Sequence, residues 1–213
     1  MTNGTANGAG ARREKKGFEL IGGDPALDLV NTLDWRFREE PPPEELLKDY
    51  NDVVQFSAQS GQLSDAVTRR LIQNVSPGKA TQVVNAVREL REAAAKVFYA
   101  ALEGKTPSVS AVKLLERYFM DARESQHLIW DGERLEWELT QSPASAGLPL
   151  WILSLKVAEL ATSDRMQMLR ACGNDECRWL FLDTSKNHTR RWCDMKICGN
   201  RMKARRFKAQ HRG

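Results

Sequence analysis

The sequence predicts an α+β fold that is mainly helical: a helical N-terminal domain with one β-hairpin, then a small C-terminal module of a second hairpin and a helix. Three observations predict this fold. Apolar residues recur at helical spacing through most of the first 162 residues. An Asp-Gly turn at 131–132 separates two runs rich in Leu, Ile and Trp, which is a strong hairpin signal. The four cysteines all lie after residue 171, in two close pairs.

The composition is typical of a globular protein with a buried core, since 41% of the 213 residues are hydrophobic and 28% are charged. The longest apolar stretch, 147–155, is too short for a membrane-spanning helix, which needs about 20 apolar residues. The N-terminus has no apolar signal sequence. We therefore expect a cytoplasmic protein without membrane contact. Residues 1–16, rich in Gly, Ala and Asn and then charged, are predicted to be a disordered leader.

The elements of the N-terminal domain follow from helix caps, chain breaks and apolar spacing. Residues 18–21 predict an edge strand. Asp24 is a typical helix N-cap, and Pro25 suits the first helical position. The three prolines at 41–43 interrupt the next segment. Helices are predicted at 26–35, 45–60, 65–74, 77–102, 109–125 and 148–162, and the strands of the hairpin at 127–130 and 134–139.

The charge is divided unevenly along the chain. Residues 163–213 carry 13 basic and 5 acidic side chains, whereas residues 1–162 carry 19 basic and 23 acidic ones. A strongly basic end on a weakly acidic body indicates a nucleic-acid-binding module, although a basic end can also serve solubility alone. The boundary between the two parts is predicted at 162–164.

The cysteine spacing predicts a metal site. Cys172, Cys177, Cys193 and Cys198 form the pattern C-x4-C-x15-C-x4-C, two close pairs that can deliver four thiolates to one ion. One structural Zn²⁺ is the predicted ion, and an iron–sulfur cluster, which uses the same ligands, is the rival. Disulfides are disfavoured in the cytoplasm. A closed set of four protein ligands leaves no open position for water, so we expect no metal catalysis.

The residues around the cysteines predict a hairpin, a polar loop and a basic helix. Strands at 165–170 and 178–183 are followed by the loop and by a helix from 194 or 198 to 210. We expect one helix face, with Ile197 and Phe207, to pack on the hairpin and the metal. The other faces and the loop supply cations for phosphates and base edges. The predicted nucleic-acid-binding residues are Lys186, Arg190, Arg191, Arg201, Lys203, Arg205, Arg206 and Lys208.

Two segments of the chain resemble a known family. Cys198-Gly199-Asn200-Arg201 resembles the motif of the bacterial CGNR zinc-finger proteins, and the cysteine pairs, the aromatic strand Trp179-Leu-Phe181 and the basic helix agree with that resemblance. Gly22-Gly-Asp-Pro-Ala-Leu-Asp-Leu-Val-Asn-Thr32 is similar to the opening of the ABATE-type domain of the same family. The resemblance implies a stress-induced transcription regulator. It implies an ABATE-like ligand-sensing domain at 17–162 and a DNA-binding zinc finger at 163–213.

Four polar residues at and after this N-terminal motif are candidates for binding an effector. Asp28 and Asn31 are one helical turn apart and can face one pocket, with Thr32 beside them. Arg36 follows closely and can pair with a ligand carboxylate. The alternative is ordinary helix capping and surface polarity, with Arg36 in solvent. On helix spacing alone that alternative is favoured, and the resemblance is what raises the ligand interpretation.

These observations predict a DNA-binding transcription regulator with an unknown small-molecule effector. Because a module of about 50 residues makes a small contact with DNA, we expect a homodimer that binds two half-sites. Two alternatives stay open: a zinc-stabilised module that binds an acidic protein partner, and RNA binding through the aromatic strand. The sequence has no nucleotide-binding fingerprint, HExxH or GxSxG motif. We therefore expect no enzymatic activity.

Overall fold

The computed structural model describes residues 17–139 and 145–211, without the side chain of Arg206. The predicted leader at 1–16 lies outside the described residues. The described chain is mainly helical with small antiparallel hairpins, which confirms the predicted fold class. Its elements are α1 (Pro25–Asn31), β1 (Leu33–Asp34), β2 (Glu44–Glu45), α2 (Tyr50–Gln59), α3 (Asp65–Asn74), α4 (Pro77–Leu102), α5 (Val109–Glu124), β3 (Gln126–Trp130), β4 (Leu135–Leu139), α6 (Leu148–Ala161), β5 (Leu169–Ala171), β6 (Leu180–Leu182) and α7 (Asn200–Gln210).

Most helices begin at the cap residues that the sequence predicts. Asp24 accepts a hydrogen bond from the Ala26 N–H at 2.9 Å, and Pro25 is the first residue of α1. Ser64 and Ser108 cap α3 and α5 in the same way, each accepting from the N–H three residues further on. Helices α3 and α4 have the predicted bounds, and α5 and α6 each end one residue earlier than predicted.

The predicted edge strand at 18–21 does not form. Phe18 instead exchanges two backbone hydrogen bonds with the side-chain amide of Gln59, at 2.9 and 2.7 Å. Each strand of the described chain pairs within its own hairpin, β1 with β2, β3 with β4 and β5 with β6, and none pairs with this segment. A side-chain amide therefore satisfies the backbone groups that a strand ladder would otherwise satisfy.

Helix α1 ends at Asn31, four residues before the predicted end. The Thr32 hydroxyl donates to the Leu29 carbonyl at 2.6 Å, and the Thr32 carbonyl accepts from the Leu46 N–H at 2.9 Å. The donor of this second bond lies in a later segment of the chain, so the Thr32 carbonyl bonds outside the helix and the backbone continues into β1. A tertiary contact therefore sets the end of α1, and the spacing of nearby apolar residues cannot predict such a contact.

Helix α2 begins at Tyr50 instead of the predicted residue 45, because Glu45 pairs with Leu33 across the β1–β2 ladder. Asp49 then supplies the cap. Its side chain accepts from the Asp52 N–H at 2.9 Å, and the Asp52 carboxylate accepts from the Asp49 N–H at 3.2 Å. This reciprocal pair is a capping box and fixes the first turn of α2.

The hairpin of β3 and β4 forms as predicted. Leu128 lies opposite Trp137, and Trp130 lies opposite Leu135. Because side chains alternate along a strand, these four residues share one face of the hairpin. They are 49%, 58%, 64% and 62% exposed, respectively. This group of four residues is called the hairpin face below.

One apolar core joins the N-terminal helices and continues into the C-terminal module. Helix α4 contacts α1, α2, α5 and α6, and Phe56 and Phe98 are among the fully buried side chains between them. Leu180 and Leu182 of β6 belong to the same core. Phe181, between them, points to the other side and packs with the cysteines. Strand β6 is therefore buried on both faces. None of the described helices is long and apolar enough to cross a membrane.

Buried hydrogen bonds to β6 join the two parts of the chain. The Asn31 side chain donates to the Leu180 carbonyl at 2.9 Å and accepts from the Leu180 N–H at 2.8 Å. The Leu182 N–H donates to the Gly22 carbonyl at 2.8 Å. Asn31 lies on α1, so a single amide side chain satisfies two backbone groups of a strand that is 149 residues away in sequence.

The C-terminal strands are shorter than predicted. A 3₁₀ turn at Asp164–Met168 occupies most of the first predicted strand, so β5 begins only at Leu169. Arg178 has a φ of 49°, in the left-handed region, and this conformation keeps it out of β6. The polar loop at 184–191 is present as predicted.

The predicted packing of the C-terminal helix is wrong. Helix α7 follows a π-helical turn at Met195–Gly199, and beyond this turn it lies largely in solvent. Phe207 is 62% exposed and stacks on His211 at 4.0 Å instead of on the hairpin. At the start of the helix Gly199 lies close to Met195 and Trp192, and further along Arg205 pairs with Glu176 of the module at 2.6 Å. The chain turns at Cys198, and α7 leaves the module from there.

Asn31→Ala is expected to lower the free energy of unfolding by about 2 to 4 kcal/mol, because it leaves the buried N–H and C=O of Leu180 without partners. Urea unfolding of the full chain measures the change. Asn74→Ala is the matched control, since that amide is exposed and bonds only within α3. A loss no larger than that of the control would show that the Asn31 amide does not hold β6.

Candidate functional site

The four cysteines predicted as metal ligands converge in space. Cys172, Cys177, Cys193 and Cys198 are all buried, and their Sγ atoms lie within 4.8 Å of one another. The Cys177 and Cys193 sulfurs are 3.8 Å apart, so they are not joined by a disulfide. A tetrahedral Zn²⁺ with bonds of about 2.3 Å places its thiolates about 3.8 Å apart. The spacing and the four soft donors therefore fit one tetrahedral ion.

Short local structures bring each cysteine pair to the centre. Cys172 follows β5 and donates its N–H to the Trp179 carbonyl at 2.9 Å. Cys177 closes the intervening turn through its N–H, which bonds the Asn174 carbonyl at 3.0 Å. The second pair spans the π-helical turn, where the Asp194 side chain accepts from two backbone N–H groups. The wider π turn places Cys198 at the start of α7, so this helix begins at the metal site.

Asn174 is a buried residue of the site that sequence reasoning missed. Its side-chain N–H donates to the Cys198 sulfur at 3.8 Å, and its side-chain oxygen, Oδ1, accepts from the Glu176 N–H at 3.3 Å. An N–H aimed at a thiolate stabilises its negative charge and orients it. Its place in the turn between the first two cysteines was the only signal in the sequence.

The thiols affect one another strongly. Hydrogen bonds from the neighbouring thiols lower the pKa of Cys172, and the bond from Cys177 has the largest effect. The same contact, with Cys172, raises the pKa of Cys177. A bound cation would allow all four cysteines to be thiolates together. The surrounding apolar side chains are Ile21, Trp35, Trp179, Phe181 and Trp192.

The predicted nucleic-acid-binding residues differ in what they contact. Lys186, Lys203 and Lys208 are exposed, and no carboxylate of the described residues lies within ion-pair distance of them. Arg205 forms an ion pair with Glu176 at 2.6 Å. The side chain of Arg206 lies outside the described part of the structure. Among the described side chains of the set, the three lysines therefore have the freest charges.

The remaining three arginines of this set lie against aromatic rings. Arg201 is 4.3 Å from the ring centre of Trp35, and Arg191 is 5.0 Å from that of Trp192. Arg190 is half-buried over Phe181 and donates to the backbone carbonyls of Trp192, Ile21 and Cys193. Its hydrogen bonds tie the basic loop to the module. The nucleic-acid-binding role of all eight residues stays a prediction.

Asp183 holds the basic loop in place and was also missed. Its carboxylate is buried and accepts from the Ser185 N–H, the Ser185 hydroxyl and the Arg190 N–H. These bonds lower the pKa of Asp183, and the bond from the Ser185 hydroxyl has the largest effect. The carboxylate is therefore charged at neutral pH, and it organises the loop from within.

The residues predicted to bind an effector do not face one common pocket: Asp28 and Asn31 contact different parts of the protein, whereas Thr32 and Arg36 contact the Arg91–Glu92 ion pair. Asp28 accepts from the Gly22 N–H at 2.8 Å, and Asn31 bonds β6 as described above. A side chain at Gly22 would lie 2.9 Å from the Asp28 carboxylate, so this close approach requires glycine. Thr32 accepts from Arg91 at 3.3 Å, and Arg36 pairs with Glu92 at 2.5 Å. Each of the four predicted side chains therefore contacts protein groups, and their role toward a ligand stays a prediction.

Asp28→Asn is expected to reduce the pH dependence of stability. Burial raises the pKa of Asp28 from its ordinary value of 3.8 to about 6. The folded state therefore holds this proton more tightly, and the free energy of unfolding falls as pH rises from about 4 to about 6. The asparagine keeps an acceptor for Gly22 without a charge. Relative to wild type, the variant should gain about 2 to 3 kcal/mol between pH 4 and pH 7.

Urea unfolding at the two pH values gives this difference directly, because contributions of other groups cancel between variant and wild type. Asp121→Asn, at an exposed position of α5, is the matched control. A variant that loses stability with pH as steeply as wild type would contradict the assignment.

Comparison with known families agrees with the sequence resemblance. Residues 23–164 match the ABATE family model, described as "Putative stress-induced transcription regulator". Residues 168–211 match the model of the CGNR zinc finger, which contains all four clustered cysteines. No match was found among curated proteins. The first match covers most of the chain, so the protein belongs to the ABATE family and carries a CGNR zinc finger after its ABATE domain.

Proposed function

We propose that the protein is a zinc-dependent transcription regulator that binds duplex DNA through α7 and the basic loop, acts by binding instead of catalysis, and responds to a small effector. The observation that carries this proposal is the position of α7. It starts at the last cysteine, extends into solvent and presents Lys203 and Lys208 without carboxylate partners in the described chain. A helix so anchored can enter a DNA groove while its cations neutralise phosphates.

The proposed ion is one structural Zn²⁺ held by the four cysteines. A set with all four sulfurs within 4.8 Å has room for one ion, whereas an iron–sulfur cluster places several iron and sulfide atoms between its thiolates. With four protein ligands the coordination is closed, so the ion supplies folding energy and no bound water for chemistry. Asn174 orients Cys198 toward it.

The burial of the aromatic strand favours duplex DNA over RNA. Single-stranded RNA is recognised largely by stacking of unpaired bases on exposed aromatic side chains. Trp179 and Phe181 are buried among the cysteines and cannot stack with bases without unfolding the module. The exposed aromatic of α7 is Phe207, and it stacks on His211.

Replacing both Lys203 and Lys208 by alanine is expected to weaken binding to random-sequence duplex DNA by about tenfold at low salt. The slope of log affinity against log salt should fall by about 2, since each lost phosphate contact removes about 0.9. Fluorescence anisotropy over a salt series measures both quantities. The matched control is Lys79→Ala with Lys113→Ala, two exposed lysines of the N-terminal domain.

A control pair that weakens binding as much as the α7 pair would place the interface elsewhere. Unchanged affinity in the α7 pair, or no duplex binding by the wild-type protein, would turn α7 into a surface for an acidic protein partner. Tighter binding to single strands than to duplex would favour RNA instead.

We also propose that the regulator is a homodimer joined through the hairpin face. Every residue on that side of the hairpin is uncharged: besides the four residues of the hairpin face, the side contains only Gln126 and Leu139. A two-stranded sheet is marginally stable alone, and an uncovered apolar face needs a partner. Stacking two identical faces under two-fold symmetry would bury on the order of 1,000 Å² in total, enough for a weak specific interface.

Trp137→Glu is expected to convert the dimer to a monomer, because it places a charge in the apolar contact without a partner. Trp137→Thr, which keeps the strand propensity, should weaken the dimer without unfolding the hairpin. Val109→Glu is the matched control, at an exposed apolar position at the start of α5. Sedimentation equilibrium gives the mass. A wild-type monomer, or a Trp137→Glu dimer, would contradict this interface.

A further inference from the structure

Two of the predicted nucleic-acid-binding arginines on α7 contact protein groups. The guanidinium of Arg201 lies 4.3 Å from the ring centre of Trp35, and Arg205 pairs with Glu176 at 2.6 Å. Because they are four residues apart, the two arginines lie on the same side of the helix. Lys203 lies on the opposite side, since it is about 200° from Arg201 around the helix axis. Helix α7 therefore begins with one side that faces the protein and one side that faces solvent.

The two arginines connect α7 to different parts of the chain. Glu176 lies in the turn between the first two cysteines, so its ion pair with Arg205 stays within the zinc-finger module. Trp35 directly follows β1 and belongs to the ABATE domain. The contact of Arg201 with this ring therefore crosses from the basic helix to the N-terminal domain.

Trp35 is held on its own side of this contact. Its backbone has a φ of 52°, in the left-handed region, and its N–H donates to the Asp34 carboxylate at 2.8 Å. Its ring is half-buried and packs against the cysteine cluster. A second cation, the guanidinium of Arg38, lies 5.1 Å from the same ring centre and donates to the carbonyls of the two prolines at 41–42, at 2.6 and 3.3 Å. Arg38 is thus bound to its own loop, so of these two cations Arg201 is the one that links the ring to α7.

The position of Arg201 gives this contact leverage over the rest of the helix. Arg201 is the second residue of α7 and lies three residues after Cys198. The 11 residues of α7 span about 16 Å, so a tilt of about 20° at the start would move the far end by about 5 to 6 Å. Lys208 lies near that far end and is exposed. A contact in the first turn therefore controls where this cation lies relative to the rest of the protein.

Trp35 is the partner that holds Arg201 in place. Arg201 is exposed, and no carboxylate of the described residues lies within ion-pair distance of its guanidinium. Tryptophan attracts cations more strongly than the other aromatic side chains, and the attraction grows where water is excluded. A phosphate contact would draw the guanidinium off the ring and lose this attraction. Lys203 and Lys208 lose no carboxylate partner of the described chain when they bind phosphates, so they are better placed to do so.

We propose that Arg201 is a positioning residue: its guanidinium stays on Trp35 when DNA is bound, and this contact holds α7 in one direction relative to the ABATE domain. The inference rests on the proposed DNA binding and identifies how the N-terminal domain acts on it. Trp35, an uncharged residue outside the zinc finger, then contributes to DNA affinity, because a helix held in one direction loses less conformational freedom on binding. A movement of this ring would pass to α7 through one side chain.

The distance between α7 and the N-terminal domain tests the contact without DNA. Nitroxide labels are attached at Lys96 and Gln210, two exposed positions, through a genetically encoded ketone side chain, so that the cysteines stay free for zinc. Pulsed electron spin resonance of the zinc-loaded full chain, diluted with unlabelled chain, gives the distribution of distances within one chain. We expect a narrow distribution for the wild-type protein. Arg201→Ala should broaden it by about 5 Å, the displacement that a tilt of about 20° produces.

Two variants of Trp35 separate the ring face from the rest of the side chain. Trp35→Leu and Trp35→Phe both keep an apolar side chain without β-branching at this left-handed position, but only phenylalanine keeps a ring face for the cation. We expect Trp35→Leu to broaden the distribution as Arg201→Ala does, and Trp35→Phe to stay closer to wild type. Arg38→Ala is the matched control, because it removes the other cation from the same ring and leaves the contact of Arg201. Retention of bound zinc in every variant shows that the module is folded.

Affinity for random-sequence duplex DNA gives the second test. Arg201→Ala and Trp35→Leu should each weaken binding by about threefold to tenfold, and the double variant should lose no more than the weaker single variant. The slope of log affinity against log salt should stay that of the wild type, because the bound helix keeps the same phosphate contacts. An arginine that contacts a phosphate would instead lower the slope by about 0.9 and would leave Trp35→Leu neutral.

Four results would each overturn the proposal. They are a slope lowered by about 0.9 in Arg201→Ala, losses of affinity that add in the double variant, wild-type distances in both Arg201→Ala and Trp35→Leu, and equal broadening in Arg38→Ala, which would make the loop and not the contact responsible. Absence of duplex binding by the wild-type protein would contradict the proposed function. The distances, measured without DNA, would still decide whether Arg201 holds α7.

Discussion

The approach of four buried sulfur atoms to within 4.8 Å of one another is the constraint on which the C-terminal module depends. Four thiolates this close would repel one another in an apolar surrounding, and a cation between them would offset that repulsion. The regular secondary structure around the cluster is short, since β5 and β6 have three residues each, and α7 lies mainly in solvent. The π-helical turn around Cys198 then fixes where α7 begins. The position of the basic helix thus follows from the convergence of the four cysteines.

Strand β6 connects this constraint to the rest of the chain. Its Phe181 packs with the cysteines, whereas Leu180 and Leu182 lie in the core that α1–α6 share. Asn31 adds two buried hydrogen bonds across the same junction. The core therefore crosses the boundary that the sequence predicts at 162–164. Two regions that differ clearly in charge and composition are therefore joined by one continuous core.

Local chemistry made much of this structure predictable from sequence. Cap residues such as Ser64 and Ser108 placed helices within a residue, the Asp-Gly turn placed the hairpin, and cysteine spacing predicted the cluster. The errors arose where distant segments meet. The pairing of Leu33 with Glu45 altered two helix ends, and nothing near either residue signals it.

The solvent-exposed course of α7 was unpredictable for a related reason. An apolar stripe with Phe207 is typical of a packed helix face, but the described residues place no surface opposite it. Asn174 and Trp35 act through contacts with residues that are distant in sequence, and Asp183 acts through hydrogen bonds within its own loop. Polar and aromatic residues of this kind carry no periodic signal, so only the fold assigns them a role.

Metal analysis combined with amide hydrogen exchange tests the central claim most directly. The account predicts one zinc per chain. It also predicts that a chelator removes protection from the Leu180 amide and the first turn of α7, while amides of α4 around Leu90 keep theirs. Zinc would then hold the module and its junction with Asn31. A chain without bound zinc, or a module whose protection is the same with and without it, would contradict the account.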